Sequence, residues 1–116
     1  MPSYAAITIY AFGITAFLAG INNLLFPTSA LANFDLPSTC LPPNQGNGLA
    51  ATAMGMYYVL AAWQENRAFF TLTVPMRSVS ATVFWSLGGA WRAAGLWEGA
   101  GAAITGLALT LDRRRA

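Results

Sequence analysis

Two residues of opposite charge, Arg77 and Glu98, each sit inside a long apolar stretch, and their chemistry is what the remainder of the chain must accommodate. Arg77 lies near the middle of residues 68–91, two positions after Pro75. A guanidinium at the centre of an apolar helix costs roughly 2.5 kcal/mol or more unless it snorkels or finds a partner. Proline there also leaves the carbonyl of Thr71 without its intrahelical donor. Glu98 falls in the first turns of the last apolar stretch and is the natural partner for Arg77. An arginine–carboxylate pair can be bidentate and rigid. In a site built on it, Glu98 would donate or accept a proton, and Arg77 would stabilise an anion or orient Glu98. Thr73 and Ser80 flank Arg77 at i−4 and i+3. Asn22, Asn23, Tyr57 and Asn47 are the candidate substrate-binding groups. The competing reading is that these polar groups only lock helices together.

Other chemistries are excluded by residue type. The chain has no histidine and a single cysteine, Cys40. It has no intrachain disulfide, no Cys-x-x-Cys redox pair and no Cys/His metal site. Ser-His-Asp and Cys-His nucleophiles are equally ruled out. No metal ligand set and no cofactor motif is present. All six cations are arginines, three of them consecutive at Arg113 to Arg115. A short arginine run beside an apolar stretch is a topology anchor rather than a nucleic-acid surface, so no nucleic-acid partner is expected.

The elements that must hold these residues are helices. Of 116 residues, 56% are hydrophobic and 9% charged, against about 25% charged in an ordinary soluble domain. The composition predicts an all-α, four-helix transmembrane bundle forming one domain, with the bilayer as its surroundings. The spans are expected at about 4–26, 48–63, 68–88 and 94–111, with one long loop over 27–47. The first is uninterrupted by charge and ends at Pro27. Its Gly13, Ala16 and Gly20 form a small-residue stripe suited to close helix packing. Gly95 and Gly99 offer a similar face on the fourth. The loop holds four of the six prolines, with a helical turn expected over residues 29–34. Ala30-Leu31-Ala32 looks like a signal-peptidase site, but the apolar stretch before it is longer than a signal peptide's and lacks a basic start, so retention is expected.

Four spans put both termini on one side, with Arg67 and the terminal arginines. The positive-inside rule makes that side cytosolic. Helical rise then places Arg77 about 15 Å deep from the other side, its side chain expected to climb toward that side. Glu98, Asn22, Asn23 and Asn47 lie near that same non-cytosolic end. A polar pocket in the non-cytosolic half of an apolar bundle is the expectation.

Phe26-Pro27, Asn47-Gly48-Leu49, Pro75-Met76-Arg77 and Trp97-Glu98-Gly99 follow one another in a pattern that resembles small four-span membrane proteins of the DoxX-like kind. Fungal members of that group are associated with secondary-metabolite biosynthesis. The resemblance implies a role on a lipophilic small molecule and carries over no catalytic residue. Together with the polar pocket it leads to an expected acid–base activity of isomerase, cyclase or epoxide-opening type, in the endoplasmic reticulum if the source is eukaryotic. The alternatives are a non-catalytic membrane scaffold, whose glycine faces would meet a partner protein or a second copy, and a transporter of a lipophilic cargo.

Overall fold

The computed structural model describes residues 1–115 and is all-helical. Its elements are α1 (Tyr4–Leu25), α2 (Pro27–Asn33), a 3₁₀ turn (Ser38–Cys40), α3 (Leu41–Trp63), α4 (Arg67–Leu87) and α5 (Trp91–Arg115). The four long helices fall where the apolar stretches lie.

The expected loop over 27–47 is corrected at both ends. Pro27 terminates α1 and also opens α2, and Pro42 and Pro43 sit in the first turn of α3. Proline costs little there, because first-turn N–H groups have no intrahelical partner. Helix α3 therefore starts seven residues before the expected Gly48. That leaves only residues 34–40 to link α2 and α3, and three of them form the 3₁₀ turn.

Close packing joins α1 to α3. A Cβ at Gly20 would collide with Thr52 Oγ1 and lie 2.6 Å from the Gly48 carbonyl, and one at Gly55 would lie 2.6 Å from the Gly13 carbonyl. Glycine at these positions lets the two backbones touch. Helices α4 and α5 pair in the same manner: a Cβ at Gly95 would meet the Trp85 amide at 3.0 Å. Two antiparallel pairs result, and α1 against α5 is the main seam between them.

That seam is polar. Thr8 Oγ1 and Thr105 Oγ1 are 2.9 Å apart. Seven residues along α5 from Thr105, the Asp112 carboxylate accepts the Tyr4 and Ala5 amides, each at 3.0 Å, capping the start of α1 from another helix. Arg67 reaches the same carboxylate at 3.6 Å. Burial raises the Asp112 pKa, but the Ala5 and Tyr4 amides and Arg67 outweigh it and hold the carboxyl below its usual range. Asp112 thus fastens the first helix, the last helix and the start of α4 at one end.

Large apolar side chains face outward on every long helix. On α4 they are Leu72, Met76, Val79 and Val83, spaced i, i+4, i+7 and i+11. Ile7, Ile14, Leu18 and Leu25 do the same on α1, and Ile104, Leu107 and Leu111 on α5. By length and composition, α1 is the one helix among the described residues apolar enough to cross a membrane. Gly, Ser, Thr, Tyr and Trp dilute the other three.

Candidate functional site

Arg77 is 3% exposed, but its environment differs from the expected one. Its Nη2 donates to Thr105 Oγ1 at 2.7 Å and to Thr73 Oγ1 at 3.2 Å. The guanidinium carbon lies 4.2 Å from the centre of the Phe12 ring and 5.8 Å from that of Tyr58. The two hydroxyls are oriented by what they accept and give. Arginine has only donors, so Thr105 accepts from it and turns its own proton to Thr8. The Thr8 hydroxyl in turn donates to the Ala5 carbonyl at 2.7 Å, and Thr73 to that of Phe70 at 2.7 Å. An arginine on α4 is thereby tied through α5 to α1.

The Arg77–Glu98 ion pair is not formed: among the described residues the one salt bridge is Arg67–Asp112. The reason is side-chain direction. Cα–Cβ bonds in a helix tilt toward its N-terminus, and the N-terminus of α4 is at the end of the molecule that holds both chain termini. Arg77 therefore reaches toward Thr73 and Thr105, away from Glu98, and its expected climb to the opposite end is corrected. Thr105 lies seven residues beyond Glu98 on α5, about 10 Å along the axis. Gly101, between them, supplies the room: a Cβ there would lie 2.6 Å from Arg77 Nη1.

Glu98 faces a cavity of about 480 Å³ at the other end of the bundle. The carboxyl is buried, its Oε2 has no hydrogen-bond partner among the described residues, and the side chain forms part of the cavity wall. The register set by Thr8 and Thr105 brings Thr15 of α1 level with Glu98, and Thr15 lines the same wall. Asn22 and Asn23 from α1, Asn33 from α2 and Asn47 from α3 supply carboxamides around it. Phe34, Phe84, Trp91 and Trp97 supply aromatic surface. Phe34 packs on Trp91 with ring centres 4.3 Å apart, so the segment after α2 closes the cavity against the start of α5.

The structure brings together four of the six residues singled out from sequence: Glu98, Asn22, Asn23 and Asn47. Arg77 is not part of the cavity wall. Tyr57 does not reach inward; it is 65% exposed, and Tyr58 takes the interior position beside Phe12, ring centres 5.2 Å apart. One residue is 100° of helix rotation, which is enough to exchange an inward for an outward position. Ser80, part-buried, donates to its own helix at the Met76 carbonyl rather than to the guanidinium's surroundings. Sequence reasoning missed Thr8, Thr105 and Asp112 as a polar seam. The signal was there: Glu98, Thr105 and Asp112 recur every seven residues on one face of α5.

The glycine faces that a scaffold would offer to a partner are already occupied. Gly13 and Gly20 meet α3, and Gly95 meets α4. Comparison of the chain with protein-family models, with curated proteins and with solved structures returned no match.

Proposed function

We propose that this chain is a multi-pass membrane protein whose cavity binds a lipophilic small molecule and acts on it by acid–base chemistry at Glu98. The outward apolar stripes on all four long helices favour a lipid surrounding, because a water-facing protein rarely exposes such continuous apolar surface. The hydroxyls of α4 agree. Thr71, Thr73, Ser78, Ser80, Thr82 and Ser86 all donate to carbonyls of their own helix, which leaves no hydroxyl proton needing water. Both termini, with Arg67 and Arg113 to Arg115, then lie on the cytosolic side, and the cavity opens toward the opposite one. If the source is eukaryotic, the endoplasmic reticulum is the fitting membrane. The likeness to DoxX-like proteins belongs to this reading.

The observation that carries the proposal is the buried Glu98 carboxyl, unpartnered by the protein, on the wall of a cavity ringed by four carboxamides and four aromatic rings. A buried polar group without a partner is costly, and a ligand hydroxyl reaching the carboxyl from the cavity, or a ligand carbonyl accepting from its protonated form, would offset that cost. The carboxamides can hold polar substituents at fixed angles, and the aromatic surface suits a flat or polycyclic apolar body. Glu98 would then move a proton to or from the bound molecule, as an isomerisation, a cyclisation or an epoxide opening requires. Arg77 acts as a positioning residue, holding α4 and α5 in the geometry that places Glu98. This replaces the direct-contact role expected from sequence.

The test is Glu98→Gln in the producing organism, beside a deletion strain and with Asn47→Ala as a second cavity variant. Membrane protein level and the lipophilic metabolite profile are recorded. The proposal expects normal accumulation of Glu98→Gln with the profile of the deletion. A wild-type profile at normal protein level would overturn it.

A further inference from the structure

Outside the Glu98 cavity, two cations converge on one apolar groove. The groove lies between the first half of α4 and the last turns of α5, with a volume of about 590 Å³. Arg67 and Arg113 stand at its mouth, and Leu72, Pro75 and Leu109 line its length. From Arg67 to Pro75 is eight residues, about 12 Å of helix, so the lining runs from the end of the bundle toward its middle.

The charge at the mouth is only half neutralised from within. Arg113 is exposed and has no carboxylate within 4.0 Å among the described residues. Asp112 pairs with Arg67 at 3.6 Å and offsets that one cation, which leaves Arg113 as the free charge of the two. Arg114 and Arg115 add to the positive field, and Arg115 is placed over the Tyr4 ring with its guanidinium carbon 4.4 Å from the centre.

We infer that this groove binds an anionic phospholipid, with the phosphate between Arg67 and Arg113 and an acyl chain along Leu72, Pro75 and Leu109. Guanidinium groups match phosphate oxygens in charge and in geometry. A groove with a cationic mouth and an apolar length selects a molecule that carries both features. The inference rests on the membrane reading above, and on its orientation, which turns this end to the anionic cytosolic leaflet. It is independent of any chemistry at Glu98.

The experiment is native mass spectrometry of the purified full chain in detergent, with phosphatidylglycerol or phosphatidylcholine added at equal concentration. Inorganic phosphate is added in a third arm as a competitor. The expected result is at least fivefold more phosphatidylglycerol than phosphatidylcholine adduct, lost in Arg113→Gln, retained in Arg114→Gln and unaffected by millimolar phosphate. Arg67→Gln should lose it too; because Arg67 also meets Asp112, Arg113→Gln is the deciding variant. Equal adducts for the two lipids, or a preference that survives Arg113→Gln, would overturn the inference. Displacement by inorganic phosphate would make the site one for the free anion and overturn the lipid assignment. Alkaline extraction of native membranes separates the two readings. A chain that stays with the lipid but shows no preference sinks this inference alone, and a chain released into solution sinks the membrane reading.

Discussion

Thr105→Val isolates what Arg77 contributes to holding the two helix pairs together. Thr105 is fully buried, and valine fills nearly the same volume, so packing survives while the hydroxyl disappears. Two bonds go with it. One is the 2.7 Å acceptance from Arg77 Nη2, the other the 2.9 Å link to Thr8. A hydrogen bond to a charged group contributes about 1.5–3 kcal/mol, and a neutral one between membrane helices about 0.6 kcal/mol. Arg77 Nε and Nη1 already lack partners among the described residues, and only Thr73, at 3.2 Å, would remain to Nη2. The sum is a loss of about 2–3.6 kcal/mol, a shift of about thirtyfold or more toward the unfolded form. The assay is reversible unfolding in mixed micelles by sodium dodecyl sulfate, followed by circular dichroism. Arg77→Met supplies the second arm of a double-mutant cycle. In that background Thr105→Val should cost only the Thr8 bond, about 0.6 kcal/mol. If Thr105→Val costs the same with and without Arg77, the guanidinium does not hold α5, and its assignment as a positioning residue falls.

Alanine at two glycines should act in opposite directions. Gly20→Ala drives a Cβ into Thr52 and the Gly48 carbonyl, where backbone cannot yield, and should destabilise by about 1–3 kcal/mol. Gly46→Ala meets nothing within 4 Å and should stabilise by up to about 1 kcal/mol through helix propensity; the same unfolding assay reads both. Asp112 governs the acid limb of stability. Its folded-state pKa lies below the unfolded value, so its contribution is complete above the unfolded pKa, about 3.9, and is lost as pH falls through the folded value. Asp112→Asn should lower stability near neutral pH by about 1 kcal/mol, as loss of a helix cap does, and flatten the fall below about pH 4; a wild-type acid limb in the variant would refute the cap.

Fold class was legible because it depends on bulk properties. Long apolar stretches and few charges leave little besides helices, and Pro27 and the polar segment 64–66 mark two of the boundaries. Segment 41–47 was misread because Pro42 and Pro43 signal a break in the middle of a helix but are tolerated in its first turn. The cavity's position was legible for a similar bulk reason. Asn22, Asn23, Asn47 and Glu98 lie near helix ends that topology alone places together. Which side chain turns inward was not legible. Tyr57 and Tyr58 are adjacent, equally aromatic and indistinguishable by depth, and only the packing of Phe12 chooses between them.

The separation of Arg77 from Glu98 follows from the same geometry that made them look like a pair. They sit at compatible depths only if Arg77 extends along α4 away from the helix start. Helix stereochemistry sends it the other way, and the sequence provides for that direction at three points. Thr73 stands one turn before it, Gly101 leaves a gap across the interface, and Thr105 waits one turn further along α5. An arginine held by Nη2 in this manner, its Nε and Nη1 unpartnered among the described residues, leaves Glu98 without an internal partner. The consequence is a division of labour along α5. Asp112 and Thr105 bind the helices to one another through bonds the protein completes itself, whereas the third member of the heptad ladder, Glu98, is left incomplete where the cavity opens. A purely structural ladder would have closed its last rung, for which Thr15 on α1, level with Glu98, had the hydroxyl.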